Sequence, residues 1–290
     1  MHMIAVVGAT GNTGRALVNE LKQLGQNPVC VVRNPEKARA VLGPDAKTAV
    51  AELTDRAALE KALQGVQSVF VVTGHNPGMV EQQNNVLGAA MKAGAKYLVR
   101  VSGGRAVVVP DSESVIGRSH YAIEERLRDS GIGWVILRPG LFMQNVLTQA
   151  AAIKNDNKMV LPFAKDLPVA LTDVRDTGAV GARILIDPTP HAGKTYEFTG
   201  KLTNYGEFAD VLSQVLGRTI TYVGVTPEQA EQAMKSRGMP DWLVQHLVTI
   251  AKLGAKGAFS NESTGPIREI AKREPITTRQ FVEDYKAMFA

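Results

Sequence analysis

Residues 3–21 read MIAVVGATGNTGRALVNEL, and this stretch constrains the fold more than any other. A five-residue apolar run leads into Gly8, Gly11 and Gly14, spaced G-x-x-G-x-x-G, and then into a helical pattern. Glycines placed after a strand and at the mouth of a helix allow a tight turn and let phosphate oxygens approach the backbone. The helix start supplies unpaired N–H donors and the positive end of its dipole. A second strand follows within the length of one βαβ unit, which is the context a dinucleotide-binding loop requires. The spacing therefore predicts a pyrophosphate ligand.

The same rhythm continues along the chain. Apolar, β-branched runs occur at 27–33, 47–53, 68–74, 97–103 and 133–140, separated by helical stretches at 11–24, 36–42, 56–64, 79–93 and 120–131. Continuously apolar strands alternating with amphipathic helices specify an α/β fold, a Rossmann-type doubly wound parallel sheet covered on both faces. Ligands of such sheets bind at the carboxyl ends of the strands. Those ends are Gly8 to Gly14, Arg33, Glu52, Thr73 to Pro77, and Ser102 to Gly104.

Beyond residue 146 the pattern loosens. Strands are expected at 169–174, 194–200 and 219–225, helices at 177–186 and 205–216, and helical segments from Pro227 onward. We divide the chain into a dinucleotide-binding Rossmann domain, 1–150, and a smaller, mostly helical C-terminal part, 151–290. The second part is expected to line a substrate cleft, with room for some of its strands to return to the main sheet.

The strand-end residues indicate which dinucleotide. Where an Asp or Glu would accept the ribose hydroxyls of NAD, this chain has Arg33, with Lys37 one turn further on. A guanidinium pairs with phosphate oxygens and gains little from a neutral hydroxyl, so NADP(H) is the expected cofactor. Glu52 is placed to border the adenine or simply to precede a helix cap. Thr73, Gly74 and Asn76 are placed where backbone groups would meet ribose and pyrophosphate, and Ser102 ends the fifth strand.

Composition narrows the alternatives. Hydrophobic residues make up 44% and charged residues 21%, and no apolar run approaches the roughly 18 residues of a membrane span. The start of the chain lacks the pattern of a secretory signal, so a cytoplasmic location is expected, and Met1-His2 reads as extraneous to the fold. The net charge of +5 comes from scattered residues, which suits an anionic small ligand and argues against nucleic acid. The single cysteine, Cys30, is expected to be a buried, inert thiol. No clustered ligand spacing suggests a metal, and no G-x-S-x-G elbow suggests a hydrolase.

Taken together, VVGATGNTGRALVNEL, VVRNPEKA, GVQSVFVVTG, AAMKAGAKYLVRVSG and GIGWVILRPGLFMQN resemble the NmrA-like, atypical branch of the short-chain dehydrogenase/reductase superfamily. Within it they are most similar to bacterial NAD(P)H-dependent quinone, azo-dye and triphenylmethane-dye reductases. The resemblance covers residues 3 to about 190 in order, with a looser echo further on. It implies that Gly8, Thr10, Gly11, Asn12, Thr13 and Gly14 form the cofactor loop, that Arg33 contacts the 2′-phosphate, and that Thr73 and Gly74 contact the cofactor. It also implies that Phe142, Met143 and Asn145 lie beside the nicotinamide, the alternative for Phe142 and Met143 being ordinary core.

One departure matters. Ordinary members of the superfamily use a Tyr-x-x-x-Lys pair to pass a proton to a carbonyl oxygen, and none of the six tyrosines here has a lysine four residues on. The region instead reads HYAIEE, where His120 and Glu124 share a helix face, as in the quinone and dye reductases. A positioned proton donor is worth about 100-fold to 10,000-fold, but an electron-poor conjugated acceptor can take hydride without one. Candidate catalytic groups are His120, oriented by Glu124, with Tyr121 as a weaker donor; the alternative for the first two is an ordinary helix-surface ion pair. His75 could face the cleft. The expected function is an NADPH-dependent reductase of quinone-like, dye-like or other conjugated small-molecule acceptors. The alternative is a non-catalytic, NADP(H)-sensing regulatory protein.

Overall fold

The computed structural model describes residues 2–290, and Met1 lies outside the described residues. The chain begins with β1 (Ile4–Val7), α1 (Asn12–Gln23), β2 (Val29–Val32), α2 (Pro35–Leu42), β3 (Thr48–Val50) and α3 (Arg56–Ala62). It continues with β4 (Ser68–Val71), α4 (Met79–Lys92), β5 (Tyr97–Val101), α5 (Val115–Arg128) and β6 (Gly133–Pro139). Then come β7 (Leu141–Phe142), a 3-10 turn at Met143–Gln149, α6 (Ala150–Asp156), β8 (Lys158–Leu161), β9 (Val169–Thr172) and α7 (Val174–Ile186). The last stretch holds β10 (Lys194–Phe198), β11 (Leu202–Thr203), α8 (Tyr205–Leu216), β12 (Thr221–Gly224), α9 (Pro227–Ser236), α10 (Asp241–Ala255), α11 (Gly265–Ile270), α12 (Thr278–Asp284) and α13 (Lys286–Phe289).

Seven strands form one parallel sheet in the order β10-β6-β5-β4-β1-β2-β3, so strand order reverses between β1 and β4. That reversal opens a crevice at the carboxyl ends of these two strands, as doubly wound sheets do. The sheet takes its last strand, β10, and the covering helix α7 from beyond residue 150, so the C-terminal part completes the Rossmann layer as well as standing beside it.

Alternate strand residues feed two cores. On one face Val6, Cys30, Phe70, Val99 and Leu137 pack under α1 and α7; on the other Ala5, Val31, Val69, Leu98 and Ile136 pack under α3, α4 and α5. Each fully buried large side chain contributes roughly 1.5–3 kcal/mol, so both faces are tightly committed. Cys30 lies in the first core, where burial pushes its thiol up to about 11, an inert group as expected. A third core, around Phe208, Phe281 and Phe289, holds the C-terminal part together. His2 Nε2 lies 2.9 Å from Ser68 Oγ, which sets His2 against β4. No helix of the described residues is long and apolar enough to cross a membrane.

Helix starts differ in a way that positions the site. Asn34, Asp55, Ser114 and Asn204 accept a backbone N–H at the starts of α2, α3, α5 and α8, the usual satisfaction of a helix terminus. Helix α1 instead starts on Gly11, with no capping side chain and no acidic residue in its first turn. Its open N–H groups face the crevice end of β1.

Candidate functional site

The loop between β1 and α1 is bare for two separate reasons. Gly8 has φ +85°, and a Cβ there would lie 1.8 Å from the carbonyl oxygen of Val72; one on Gly14 would lie 2.1 Å from the oxygen of Gly8. Those two glycines are demanded by packing. Gly11 is exposed, and a Cβ on it would come no closer than 3.5 Å to Gly8 O, so nothing in the protein requires it to be glycine. With Thr10 and Asn12 also exposed, Thr13 and Gly14 buried, and the start of α1 uncapped, the loop fits a dinucleotide pyrophosphate.

Arg33, at the end of β2, and Lys37, in the first turn of α2, are both exposed, as a contact to a ribose phosphate requires. Glu52 is exposed beyond β3, where Asp55 rather than Glu52 caps α3. The Asn76 amide is consumed within its own loop: it donates to the Gly74 and Gln82 oxygens and accepts from Gly78 N at 2.9 Å. Asn76 therefore shapes this turn, leaving backbone groups and Gly74 to face a ligand.

A chain of hydrogen bonds starts at Thr73 and runs inward from the crevice. Gln83 of α4 donates to Thr73 Oγ1 at 2.7 Å, and Arg100 Nε of β5 donates to Gln83 Oε1 at 2.7 Å. Arg100 Nη2 lies 2.7 Å from His120 Nδ1, and His120 Nε2 lies 3.3 Å from His75 Nε2. The His75 ring also packs edge-on against His246 of α10, whose Nδ1 is 2.7 Å from Ser114 Oγ. Guanidinium nitrogens only donate, so His120 accepts at Nδ1 and carries its proton on Nε2. His75 then accepts at Nε2 and carries its proton on Nδ1.

Electrostatics keep the three imidazoles neutral. Burial and the nearby Arg100 charge hold His120 well below its ordinary value and lower His75 too; burial brings His246 down to about 4. Burial pulls Arg100 down to about 9, with Glu124 opposing, so it stays a cation at neutral pH. Among the described residues no cluster of His, Cys, Asp or Glu can hold a metal.

Several expectations need correction. His120 and Glu124 do not make a surface pair: they are 6% and 0% exposed, and Glu124 turns away from His120 to Arg138, Arg128 and Ser102. Burial alone would raise the Glu124 carboxyl, but hydrogen bonds from Arg138 and Ser102, with the Arg138 and Arg100 charges, hold it below its ordinary value. It is a fixed anion that reaches His120 only through Arg100, 4.0 Å from its carboxylate. The Ser102 hydroxyl, 2.5 Å from Glu124 Oε1, is committed to this pairing instead of to a ligand. Met143 is 2% exposed and belongs to the third core. Phe142, half-buried in β7, and exposed Asn145 remain on the wall after β6, and half-buried Tyr121 takes no part in the network.

Sequence reasoning missed Arg100, Gln83, Ser114 and His246. A signal existed for the first, since a single arginine inside YLVRV is out of place in a strand otherwise apolar. A mixed-charge groove of about 740 Å³ between α5, α9 and α10, lined by Glu113, Arg118, Lys235 and Asp241 among others, contains none of the predicted site residues.

A parallel sheet with a crevice at its order reversal and a bare loop on an uncapped helix defines a dinucleotide-binding type of protein. The model of the NmrA-like family matches residues 1–288, and the chain belongs to that family. It is 37% identical over 288 residues to an NAD(P)H azoreductase of Xenophilus azovorans, covering 99% of each chain. It is 31% identical over 266 residues to quinone oxidoreductase 2 of Escherichia coli, covering 90% of this chain and 91% of that one. The structure of the NADPH-dependent quinone oxidoreductase QOR2 of Escherichia coli complexed with NADPH superposes with a TM-score of 0.84 at 29% identity, covering 98% of this chain and 100% of that one.

Proposed function

We propose that this protein is an NADPH-dependent reductase that passes hydride directly to quinone-like, dye-like or other conjugated acceptors, without a Tyr-Lys pair. The observation that carries the reading is Gly11: an exposed glycine with no packing reason, at the uncapped start of α1, with exposed Arg33 at the end of the next strand. NADP(H) would be held by the Gly8–Gly14 loop at its pyrophosphate, by Arg33 and Lys37 at its 2′-phosphate, and by the backbone around Thr73 and Gly74. When bound, it supplies the hydride. The protein's own task is to hold the acceptor face in line and keep its polar wall neutral, which suits acceptors that delocalise the incoming electrons. The similarity to azo-dye and quinone reductases above 30% identity supports catalysis over the sensor reading.

The test mixes purified protein with NADPH and a panel of quinones, azo dyes, triarylmethyl dyes and enones, and follows loss of NADPH absorbance. Turnover with at least one class is expected. Tight NADPH binding with no turnover across the panel contradicts the reductase and points to the sensor.

A further inference from the structure

The three-histidine cluster links elements far apart in sequence, and only one member is open. His120 is 6% and His246 is 7% exposed, whereas His75, on the loop after β4, keeps exposed surface at the crevice end of the sheet. Its Nε2 is occupied by the Nε2–H of His120, which is itself fixed by the Arg100 donor at Nδ1. The remaining N–H of His75, at Nδ1, is unclaimed by any hydrogen bond among the described residues. Gln83 holds Arg100 from the other side, so a residue from each of α4, β5 and α5 fixes one imidazole orientation.

We propose that His75, oriented through the Arg100–His120 pair, donates a hydrogen bond from Nδ1 to the oxygen of a carbonyl-bearing acceptor in the crevice. This rests on the reductase reading. Hydride addition brings one hydrogen and two electrons to a quinone and leaves an oxyanion, whose hydrogen is completed from water; His75 keeps its own proton and stabilises the charge as it develops. A neutral imidazole serves as such a donor, and this site has reason to stay neutral. The charge facing His75 is Arg100 from β5, behind His120; Glu124 of α5 is turned away to Arg138 of β6 and Arg128 of α5, and neutral His120 and His246 face His75 from α5 and α10. His120 and Arg100 are positioning residues.

The oxygen requirement gives a selective test. A quinone forms an oxyanion, whereas a triarylmethyl cation accepts hydride at carbon and becomes a neutral molecule with no oxygen to stabilise. His75→Phe is expected to lower kcat/KM for a benzoquinone about 100-fold to 1,000-fold, as loss of one preorganised donor does, and to affect a triarylmethyl dye far less. His75→Asn, whose amide nitrogen sits near the Nδ1 position, is expected to recover most of the loss. For the wild type, kcat/KM for the quinone stays level between pH 7 and 8, where an imidazolium proton donor would give a fall with rising pH. Nitrogen NMR of histidine-labelled protein without cofactor reads the tautomers directly, with a proton on Nδ1 for His75 and on Nε2 for His120 at pH 7. Equal losses for both acceptors, no loss for either, or a His75 proton found on Nε2 overturns the inference alone. Wild-type protein that turns over neither acceptor overturns the reductase reading and this inference with it.

Discussion

The β1–α1 loop and the β4–β5–α5–α10 cluster lie at the same edge of one sheet and differ in what they offer a ligand. The first presents bare backbone: Gly8 and Gly14 are forced by contacts of 1.8 and 2.1 Å that a side chain would make, and Gly11 is left open. The second presents side chains only, each committed to a partner, with His75 the one histidine of the cluster left exposed. Backbone N–H groups suit a ligand whose charge is fixed, such as a pyrophosphate. A neutral side-chain network suits an acceptor whose charge appears only during reaction. The comparison teaches that donors at this edge come in two kinds, one local in sequence and one assembled from distant segments, and our proposal gives binding to the first and chemistry to the second.

Breaking the first region at its packed glycines should have the largest effect. Gly14→Ala places a Cβ 2.1 Å from Gly8 O and is expected to cost at least about 3 kcal/mol, read as a loss of folded protein or a steep fall in Tm. Gly11→Ala meets nothing tight and has φ −75°, which alanine adopts freely, so its unfolding free energy should stay within about 1 kcal/mol of the wild type, the N-cap preference for glycine included, while NADPH binding weakens. Equal Tm losses would merge two roles that the geometry separates.

In the second region, Glu124→Gln removes the buried anion shared by Arg138, Arg128 and, at 4.0 Å, Arg100. Stranding buried cations costs about 3–5 kcal/mol, measurable by urea unfolding. A loss below about 1 kcal/mol would show that the arginines find other partners.

Acid titration gives a smaller effect with a defined sign. His75, His120 and His246 have folded values below their ordinary 6.5, so the unfolded chain binds more protons and their stability contribution, complete above pH 6.5, is lost as pH falls toward the folded values, about 4 for His246. Asp176, pushed up to about 6 by burial, works in the opposite sense over part of that window. The expected net result is a lower Tm at pH 5 than at pH 7, with His246→Gln removing part of the decline.

The division between local and distant donors also explains what the sequence made legible. The strand and helix alternation through β6, the glycine loop and Arg33 are local patterns, each complete within about thirty residues. The strands β7 and β11 have two residues each and carry no period to read. The histidine network was hidden for another reason: Ser114 and His246 are 132 residues apart, and only folding brings them to 2.7 Å. His120 and Glu124 looked like partners because helical spacing says so, but buried Arg100 on β5 takes His120 and half-buried Arg138 on β6 takes Glu124.

The central claim is that the bare loop and Arg33 together hold a dinucleotide carrying a 2′-phosphate. Its most direct test is a binding titration of NADPH and NADH against the wild type and Arg33→Ala, without acceptor. The account predicts that the wild type binds NADPH at least about tenfold more tightly than NADH, as a charge-assisted phosphate contact supports, and that the variant loses most of that preference while keeping its affinity for NADH. Equal affinities in the wild type, or an unchanged preference in the variant, would contradict it.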